Sequence, residues 1–387
     1  MEFQKTNLGE LSVNGKGSYG IAASAVPYSD ELFTYLRITD INDDGTLNKS
    51  GLMSVSDEKA EQYLLKPNDI VFARTGGSTG RSYFYDGTDG EFVYAGFLIK
   101  FSIDSTKVNP RFIKYYCLSQ EYRGWVHSFN TGSTRGNINA QTYANMSILL
   151  PSREQQDLLV DTLSVIDEKI KLNTAINENL EQQAQAIYAQ MFIESAEESW
   201  ETGSLSDIAV ITMGQSPKGD TFNETGEGAV FYQGRTDFGF RFPTRRLYTT
   251  EPKRIALCGD ALMSVRAPVG DLNVAYEECC IGRGLAAIHS KDNHQSFVLY
   301  TLFTLKKQLD VFNGEGTVFG SINKESLNSM EITIPPRELM DRFESTVSPI
   351  DRAIRNNYEE ICRLQAIRDT LLPKLMNGEI DVSAVKI

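Results

Sequence analysis

The sequence has few of the residues from which metal centres and disulfide frameworks are built. Its 387 residues include three histidines and five cysteines, and no two cysteines have C-x-x-C spacing. An odd number of cysteines without that spacing argues against a zinc ribbon or a closed set of disulfides. We therefore expect no metal site and reduced, mostly buried thiols at Cys117, Cys258, Cys279, Cys280 and Cys362.

Long apolar runs are also missing. The N-terminal segment MEFQKTNLGE has no basic start followed by an apolar stretch, and no segment has the length and apolarity of a membrane span. These features predict a cytoplasmic protein without a membrane partner.

Motifs of catalysis are scarce. The sequence contains no Asn-Pro-Pro-Tyr or Asp-Pro-Pro-Tyr for methyl transfer to an amino group and no Walker A loop. The pair Cys279 and Cys280 has no histidine at a spacing that is typical of thiol catalysis. We therefore expect a chain that is not an enzyme by itself and that binds no cofactor of its own.

The second half of the chain repeats the first. At an offset of 184 positions, IDEKIKLN (166–173) matches IDRAIRNN (350–357), and the segment 132–154 matches the segment 316–338. Farther upstream, YLRITDI (35–41) resembles FYQGRTDF (231–238), and Phe112, Ile113 and Tyr115 match Phe297, Val298 and Tyr300. A chain of this length is long enough for two domains with separate cores. The repeat predicts two modules of one plan.

The amino-acid composition and periodicity of each copy change at a proline. Before it, β-branched and aromatic runs such as DIVFART alternate with Gly, Asn and Asp, which predicts strands joined by turns, with a helix around residues 110–122. After it, apolar residues recur at steps of three and four, which predicts long helices, the first over about 152–194. The predicted fold is α+β, with strand-rich modules at 1–150 and 197–335 and long helices at 151–196 and 336–387.

The apolar stripe along each long helix, which we call its seam, carries asparagines at matching positions. A buried asparagine in a seam lowers the stability of a helix pair but fixes its register. One amphipathic helix packed on its own domain would show a similar stripe, but two matched stripes favour mutual pairing. The short link ESAEESWETGS between the first helix and the second module makes that pairing antiparallel. The residues expected to pair the helices are Ile166, Ile170, Asn173, Asn177, Leu180, Ile350, Ile354, Asn357, Ile361 and Leu364.

The ends of both helices are marked by capping residues and prolines. Ser152 and Gln155 form a capping-box pattern after Pro151, and Pro336 lies where a first-turn proline is tolerated. Pro349 falls inside the second pattern and predicts a kink, or a short helix that precedes the main one.

The net charge of −13 argues at first against a nucleic-acid partner, but it is unevenly distributed. Residues 151–199 hold ten acidic and three basic side chains, whereas the segment 235–254 carries six Arg or Lys residues among aromatic ones. Arginine forks suit guanine edges and phosphates. A solvated hairpin whose arginines balance nearby acids would have the same composition.

Glycine-rich turns with arginines are the weaker equivalent in the first module. They occur at 74–82 and 130–137, and the segment SVRAPVGDLN (264–273) keeps an arginine and a glycine in the second. Such turns expose backbone amides that can hold phosphates. The candidate DNA-binding residues are Arg37, Arg74, Ser78, Arg81 and Arg135 in the first module, and Gln233, Arg235, Arg241, Arg245, Arg246 and Arg266 in the second.

The segments ILLPSREQQ, ITIPPRELM, VRAPVGD, IGRGLAA and LLPKLMNGE together resemble the specificity subunit of type I restriction-modification systems. The resemblance covers essentially the whole chain. It implies two target recognition domains that each recognise one half of a bipartite site in double-stranded DNA, while the two helices set the unread spacer. The alternative that the residues leave open is a coiled-coil scaffold that spaces two ligand-binding modules and binds no DNA.

The resemblance also implies partners. Two methyltransferase subunits would dock on the helices, restriction subunits that translocate DNA would complete the complex, and S-adenosylmethionine, ATP and Mg would bind to those subunits in defence against foreign DNA. The acidity of the first helix and the presence of Pro349 in the second make the two docking surfaces unequal.

Overall fold

A computed structural model describes residues 3–129, 136–313 and 320–380. The chain folds into two compact units: unit 1 is Met1–Leu172 with Glu360–Ile387, and unit 2 is Asn173–Glu359. Both long helices are present, as predicted, but each of them is divided between the units. Each compact unit therefore contains a strand-rich module together with part of each long helix.

The described α-helices include two that are much longer than the others. They are α1 (Pro110–Tyr116), α2 (Gln120–His127), α3 (Ala140–Ala144), α4 (Arg153–Ala189), α5 (Leu205–Ile208), α6 (Gln295–Thr304), α7 (Lys306–Asp310), α8 (Lys324–Asn328) and α9 (Arg337–Met376). A π-helical turn, Gln190–Glu194, follows α4 directly.

The described strands are short, as the sequence predicted. Those of the first half are β1 (Gln4–Asn7), β2 (Ser18–Tyr19), β3 (Ala25–Val26), β4 (Phe33–Leu36), β5 (Met53–Val55), β6 (Asp69–Ala73), β7 (Ser82–Tyr85), β8 (Phe92–Tyr94), β9 (Leu98–Ser102) and β10 (Ser147–Leu150). Those of the second half are β11 (Glu201–Ser204), β12 (Ala209–Met213), β13 (Phe222–Asn223), β14 (Ala229–Tyr232), β15 (Leu247–Thr249), β16 (Ile255–Ala256), β17 (Ala261–Ser264), β18 (Leu272–Val274), β19 (Cys279–Ile281), β20 (Leu285–Ser290) and β21 (Glu331–Ile334).

The sheets of the two units follow one plan. In unit 1 the strand orders are β1-β10, β2-β9-β6-β7 and β3-β5-β4-β8. In unit 2 they are β11-β21, β12-β20-β17-β18 and β13-β15-β14-β19, with β16 added at the edge of the last sheet. In both units the third sheet contains one parallel pair, β4 with β8 and β14 with β19. The duplication predicted from the sequence is therefore a duplication of topology.

Residues of both long helices complete the core of each unit. In unit 1, Leu163 of α4 and Leu375 of α9 belong to the same buried cluster as Phe72 and Phe101 of the sheet. In unit 2, Tyr188 of α4 and Phe343 of α9 have ring centroids 5.6 Å apart, in one cluster with Phe297 of α6. The apolar seams of the helices are thus buried against the modules as well as against each other.

Ion pairs connect the two long helices in unit 1. In unit 1, Arg368 contacts Asp167 at 3.3 Å and Lys169 contacts Glu360 at 3.6 Å. Within each unit, the contact partners on α9 move toward its start as the chain advances along α4. The two helix segments are therefore antiparallel there. The residues predicted to pair the helices are buried at Asn173, Asn177 and Ile354, and half-buried at Ile166, Ile170, Leu180, Ile350, Asn357, Ile361 and Leu364.

Asparagines meet in the seam of unit 2. The side-chain amide of Asn177 donates to the carbonyl of Ile354 at 3.1 Å, and the amide of Asn357 donates to Asn177 Oδ1 at 2.9 Å. Asn177 thus uses both its donor and its acceptor on α9, and such a side chain has little tolerance for a shifted register. The asparagines therefore fix which turn of α4 faces which turn of α9 in this unit.

Several local expectations need correction. The segment 110–122 forms two helices, α1 and α2, because Ser119 caps the second by accepting from Tyr122 N at 3.2 Å. Only one half of the predicted capping box is present, in which Ser152 Oγ accepts from Gln155 N at 3.4 Å. The cysteines are mostly buried, as expected, at Cys117, Cys279 and Cys280, while Cys258 and Cys362 are exposed.

The expectation of a separate short helix before Pro349 is wrong, because α9 continues through that residue. Ser345, whose carbonyl loses its helical N–H partner at a proline four residues later, is exposed like Pro349 itself. Water can satisfy that carbonyl, so the helix tolerates the proline.

Among the described helices, each is either too short or too polar to cross a lipid bilayer. In the same part of the chain, no three side chains of His, Cys, Asp or Glu are grouped so that they could hold a metal ion.

We predict that Phe343→Ala destabilises unit 2 strongly. Phe343 is fully buried between Tyr188, Phe192 and Phe297, and the loss of such a ring costs about 3–5 kcal/mol. Urea unfolding followed by circular dichroism measures the loss. The control is Val311→Ala, because Val311 is 82% exposed and its truncation should change the free energy of unfolding by less than about 0.5 kcal/mol.

Candidate nucleic-acid interface

Four arginines of unit 2 lie in one loop, which we call the arginine loop (residues 233–246). It begins after β14, passes through a 3-10 turn at Arg235–Asp237, and ends at the start of β15. Gln233, Arg235, Arg245 and Arg246 are exposed. The loop thus presents three guanidinium groups and one amide to solvent.

Each exposed arginine of this loop has an acidic partner. Arg235 pairs with Asp271, Arg245 Nε donates to Glu277 at 2.5 Å, and Arg246 Nε donates to Asp237 at 2.8 Å. The alternative that arginines balance nearby acids is therefore seen in the structure. The pairs of Arg235 and Arg245 are partly exposed and contribute little stability, so a phosphate or a guanine edge can replace the acid there.

The same pairs raise the pKa of two of these arginines. Partial burial lowers the pKa of Arg245, but the charge of Glu277 and its hydrogen bond more than reverse this effect. The hydrogen bond with Asp237 raises the pKa of Arg246. Both side chains remain cationic, as contact with an anionic partner requires.

Arg241 does not belong to this exposed set, so its assignment to a DNA-facing position is wrong for this structure. Its side chain is 5% exposed, and Nη2 donates to Tyr300 Oη and Asp351 Oδ1, both at 2.7 Å. Its Nη1 lies 3.3 Å from Glu181. A guanidinium between two carboxylates in the interior cannot contact an outside ligand without breaking both pairs.

Arg37 and Arg81 approach the same turn of unit 1. Arg37 pairs with Asp40 through two hydrogen bonds of 2.9 and 2.6 Å, and the bond with Asp40 raises the pKa of Arg37. Arg81 pairs with Asp43 at 2.7 Å and donates to the carbonyl of Ile41 at 3.0 Å. Two guanidinium groups are therefore held along residues 37–43.

The remaining predicted residues of unit 1 are less accessible. Arg74 is half-buried and stacks over the ring of Tyr19, with 5.1 Å from its guanidinium carbon to the centroid. Ser78 is buried at 8% exposure, in the 3-10 turn Gly76–Ser78, so its placement at a DNA-facing surface is not supported. Arg135 lies outside the described residues.

Arg266 lies just after β17, at a position that has an equivalent in unit 1. It is exposed and forms an antiparallel bridge with Ser321. In unit 1, Thr75 follows β6 and forms the same bridge with Asn137. The glycine-rich segment of the first module and the segment SVRAPVGDLN are thus equivalent parts of the repeat.

Two buried aspartates that hold arginines were not among the residues predicted from the sequence. Asp40 is 3% exposed and binds Arg37, and Asp237 is 5% exposed and binds Arg246. Each ends a 3-10 turn that follows the strand β4 or β14. The signal was present, because the dipeptide Thr-Asp recurs in YLRITDI and FYQGRTDF.

Comparisons with known proteins point in one direction. The family described as "Type I restriction modification DNA specificity domain" matches twice, over residues 6–182 and 197–361. A putative type I restriction enzyme MjaX specificity subunit of Methanocaldococcus jannaschii is 29% identical over 371 residues, which cover 89% of this chain and 87% of that protein. The HindI specificity subunit of Haemophilus influenzae is 22% identical over 401 residues, which cover 82% and 87%.

A solved structure supports the fold. The S subunit of a type I restriction-modification system from M. genitalium is 16% identical, with a TM-score of 0.56 over 97% of this chain and 96% of that chain.

We predict that Asp40→Ala destabilises unit 1 by about 1–3 kcal/mol, because it leaves the backbone N–H and the guanidinium of Arg37 without their buried acceptor. Asp43→Ala is the control, since Asp43 has a side chain that is 83% exposed and its pair with Arg81 is worth less than about 1 kcal/mol. Urea unfolding of the two variants measures the difference. Equal losses of unfolding free energy in the two variants would show that the Asp40 carboxylate contributes no more than an exposed carboxylate does.

Proposed function

The chain belongs to the family of type I restriction-modification DNA specificity domains, of which it carries two copies, and we propose that each copy recognises one half of a bipartite site in double-stranded DNA. Its role in the complex is recognition rather than catalysis. The observation that carries the proposal is that a buried aspartate recurs, at Asp40 in unit 1 and at Asp237 in unit 2, and that each one pairs with an arginine whose side chain solvent reaches.

The acid partners suggest how binding is controlled. Arg81, Arg235 and Arg245 each give up a carboxylate that is at least partly exposed and take a phosphate or a base edge in its place. The exchange costs little because both states are charge-assisted pairs. It also disfavours sites that offer no better acceptor than the acid, which contributes to specificity.

Methyltransferase subunits are the partners expected on the long helices. Val165 and Leu172 of α4, seven residues apart in unit 1, are 56% and 55% exposed, and exposed apolar side chains on one helical face fit a protein partner. The equivalent positions of α9 are Pro349 and Asn356. We therefore expect two methyltransferase subunits to bind with unequal affinity.

The other partners follow from the type of complex. Restriction subunits that translocate DNA join the methyltransferase subunits, and S-adenosylmethionine, ATP and Mg bind to these partners rather than to this chain. The assembly works in the cytoplasm, where it distinguishes host DNA from foreign DNA by methylation.

The long helices set the unread spacer in this proposal. Their seams support an antiparallel coiled coil, because the seam residues are buried or half-buried and Asn177 and Asn357 fix the register in unit 2. A helix pair of this kind is stiff along its length, so the number of its residues determines the separation that the half-sites must have.

We predict that replacing Arg235, Arg245 and Arg246 together by Ala abolishes specific binding to the half-site of unit 2. Each base-reading arginine contributes about 1–3 kcal/mol, and each phosphate contact that is lost lowers the salt dependence of binding by about one unit of slope. The measurement is the binding of the complex with its methyltransferase to duplex DNA at several salt concentrations.

The matched control removes three cations from elsewhere in unit 2. Lys291, Lys307 and Lys324 are exposed and lie outside the arginine loop. Their replacement by Ala should leave site choice unchanged. If the wild-type complex binds all duplexes without salt dependence, or if both triple variants behave alike, the chain does not recognise DNA through this loop.

We further predict that lengthening both helices by one heptad changes the spacer. Insertions after Leu172 and after Glu359 lie at the boundaries of the compact units, so the contacts within each unit are retained. Seven residues add about 10 Å of helix, which corresponds to about three base pairs at about 3.4 Å each. Sequencing of methylated sites in cells that carry the variant measures the spacer.

The control for this experiment is an insertion in α4 alone, which puts the two seams out of register and should abolish methylation. An active double-insertion variant that still marks the original spacing would show that the helices do not set the separation.

A further inference from the structure

One aspartate of each long helix is repeated together with its tyrosine partner. Asp167 of α4 accepts a hydrogen bond from Tyr115 Oη at 3.0 Å, and Asp351 of α9 accepts one from Tyr300 Oη at 3.0 Å. These residues correspond in the sequence repeat. The two units therefore share one polar junction between a helix of the module and a long helix.

The cations at the two junctions come from different parts of the fold. In unit 1, Asp167 faces Lys114 of α1 at 2.6 Å and Arg368 of α9 at 3.3 Å. In unit 2, Asp351 faces Arg241 of the arginine loop at 2.7 Å. The cations that face the aspartate come from helices in unit 1, whereas in unit 2 the cation comes from a loop.

A second contact fastens the same stretch of the arginine loop. Phe242 is 5% exposed, and its ring lies 4.9 Å from that of Tyr358 of α9 and 5.7 Å from that of Tyr276. The carbonyl of Arg241 accepts a hydrogen bond from Val274 N at 2.9 Å. Two adjacent side chains thus bind the loop to α9, three residues before the exposed Arg245.

Charged side chains of both long helices contact the loop at Arg241. Arg241 lies between Glu181 of α4 and Asp351 of α9, so its removal would leave two carboxylates of the helix pair facing each other without a cation. Burial raises the pKa of Glu181, although the charge of Arg241 opposes that rise. The guanidinium of Arg241 thus contacts both long helices, one through each of its terminal nitrogens.

We propose that Arg241 is a positioning residue for DNA recognition, which orients the exposed arginines of its loop on α4 and α9 of unit 2. Recognition of the second half-site then depends on Asp351, whereas recognition of the first does not depend in the same way on Asp167. The inference rests on the proposed function, since it concerns the orientation of the DNA-binding loop.

The test uses the complete complex with its methyltransferase and compares Arg241→Lys, Arg241→Met, Asp351→Asn and Asp167→Asn. Initial methylation rates are measured on the cognate duplex and on duplexes with a single base changed in one half-site. The half-site of unit 2 is the one whose recognition is lost with Arg235, Arg245 and Arg246. We expect Arg241→Met and Asp351→Asn to reduce discrimination there by about tenfold, the size of one base contact, and to leave the other half-site unchanged.

Arg241→Lys keeps the charge and most of the packing, so it separates orientation from folding. A lysine cannot bridge Glu181 and Asp351 as a fork does, and we expect an intermediate loss of discrimination with an unchanged circular dichroism spectrum. Asp167→Asn, the matched control, should lower stability while both discrimination ratios stay at the wild-type value.

The outcomes distinguish this inference from the proposed function. If the wild-type complex discriminates between bases, but Arg241→Lys and Asp351→Asn retain full discrimination at both half-sites, the positioning role is wrong while the proposed function stands. Equal losses at both half-sites, or the same loss with Asp167→Asn, would also overturn it. If the wild-type complex does not discriminate at all, the proposed function itself fails.

Discussion

The burial of the two long helices against the strand-rich modules is the constraint on which the rest of the structure depends. Leu163 and Leu375 enter the core of unit 1, and Tyr188 and Phe343 enter the core of unit 2. Neither core is complete with residues of its own module alone. Each helix therefore serves both units, and a helix that serves two cores cannot shift its register without disturbing both.

Polar residues give this apolar framework its precision. Apolar side chains can be repacked with modest losses, but buried amides and carboxylates accept few arrangements. Asn177 with Asn357 sets the register of α4 and α9 in unit 2, and Asp351 holds the arginine loop through Arg241. The exposed arginines that are proposed to contact DNA are thus connected, through a few hydrogen bonds, to the helices that are proposed to set the spacer.

The two units use one topology for different surfaces. Both have the same sheet orders, apart from the edge strand β16 of unit 2, and the same buried aspartate after the β4 or β14 strand. Their loops differ, however, because the arginines approach a turn at residues 37–43 in unit 1 and line the arginine loop in unit 2. Differences confined to loops on a repeated framework allow two half-sites of different sequence to be recognised while the framework itself is retained.

The sequence by itself determined the duplication, the strand-rich modules, the two long helices and their asparagine seams, because periodicity and repeats are local properties of the chain. Tertiary structure alone decided that each compact unit combines parts of both helices, and which arginines are accessible. Arg241 looked like Arg245 and Arg246 in the sequence, yet its partner Asp351 lies 110 positions away. Whether a loop arginine is buried depends on residues that the fold brings near it, and local composition carries no record of them.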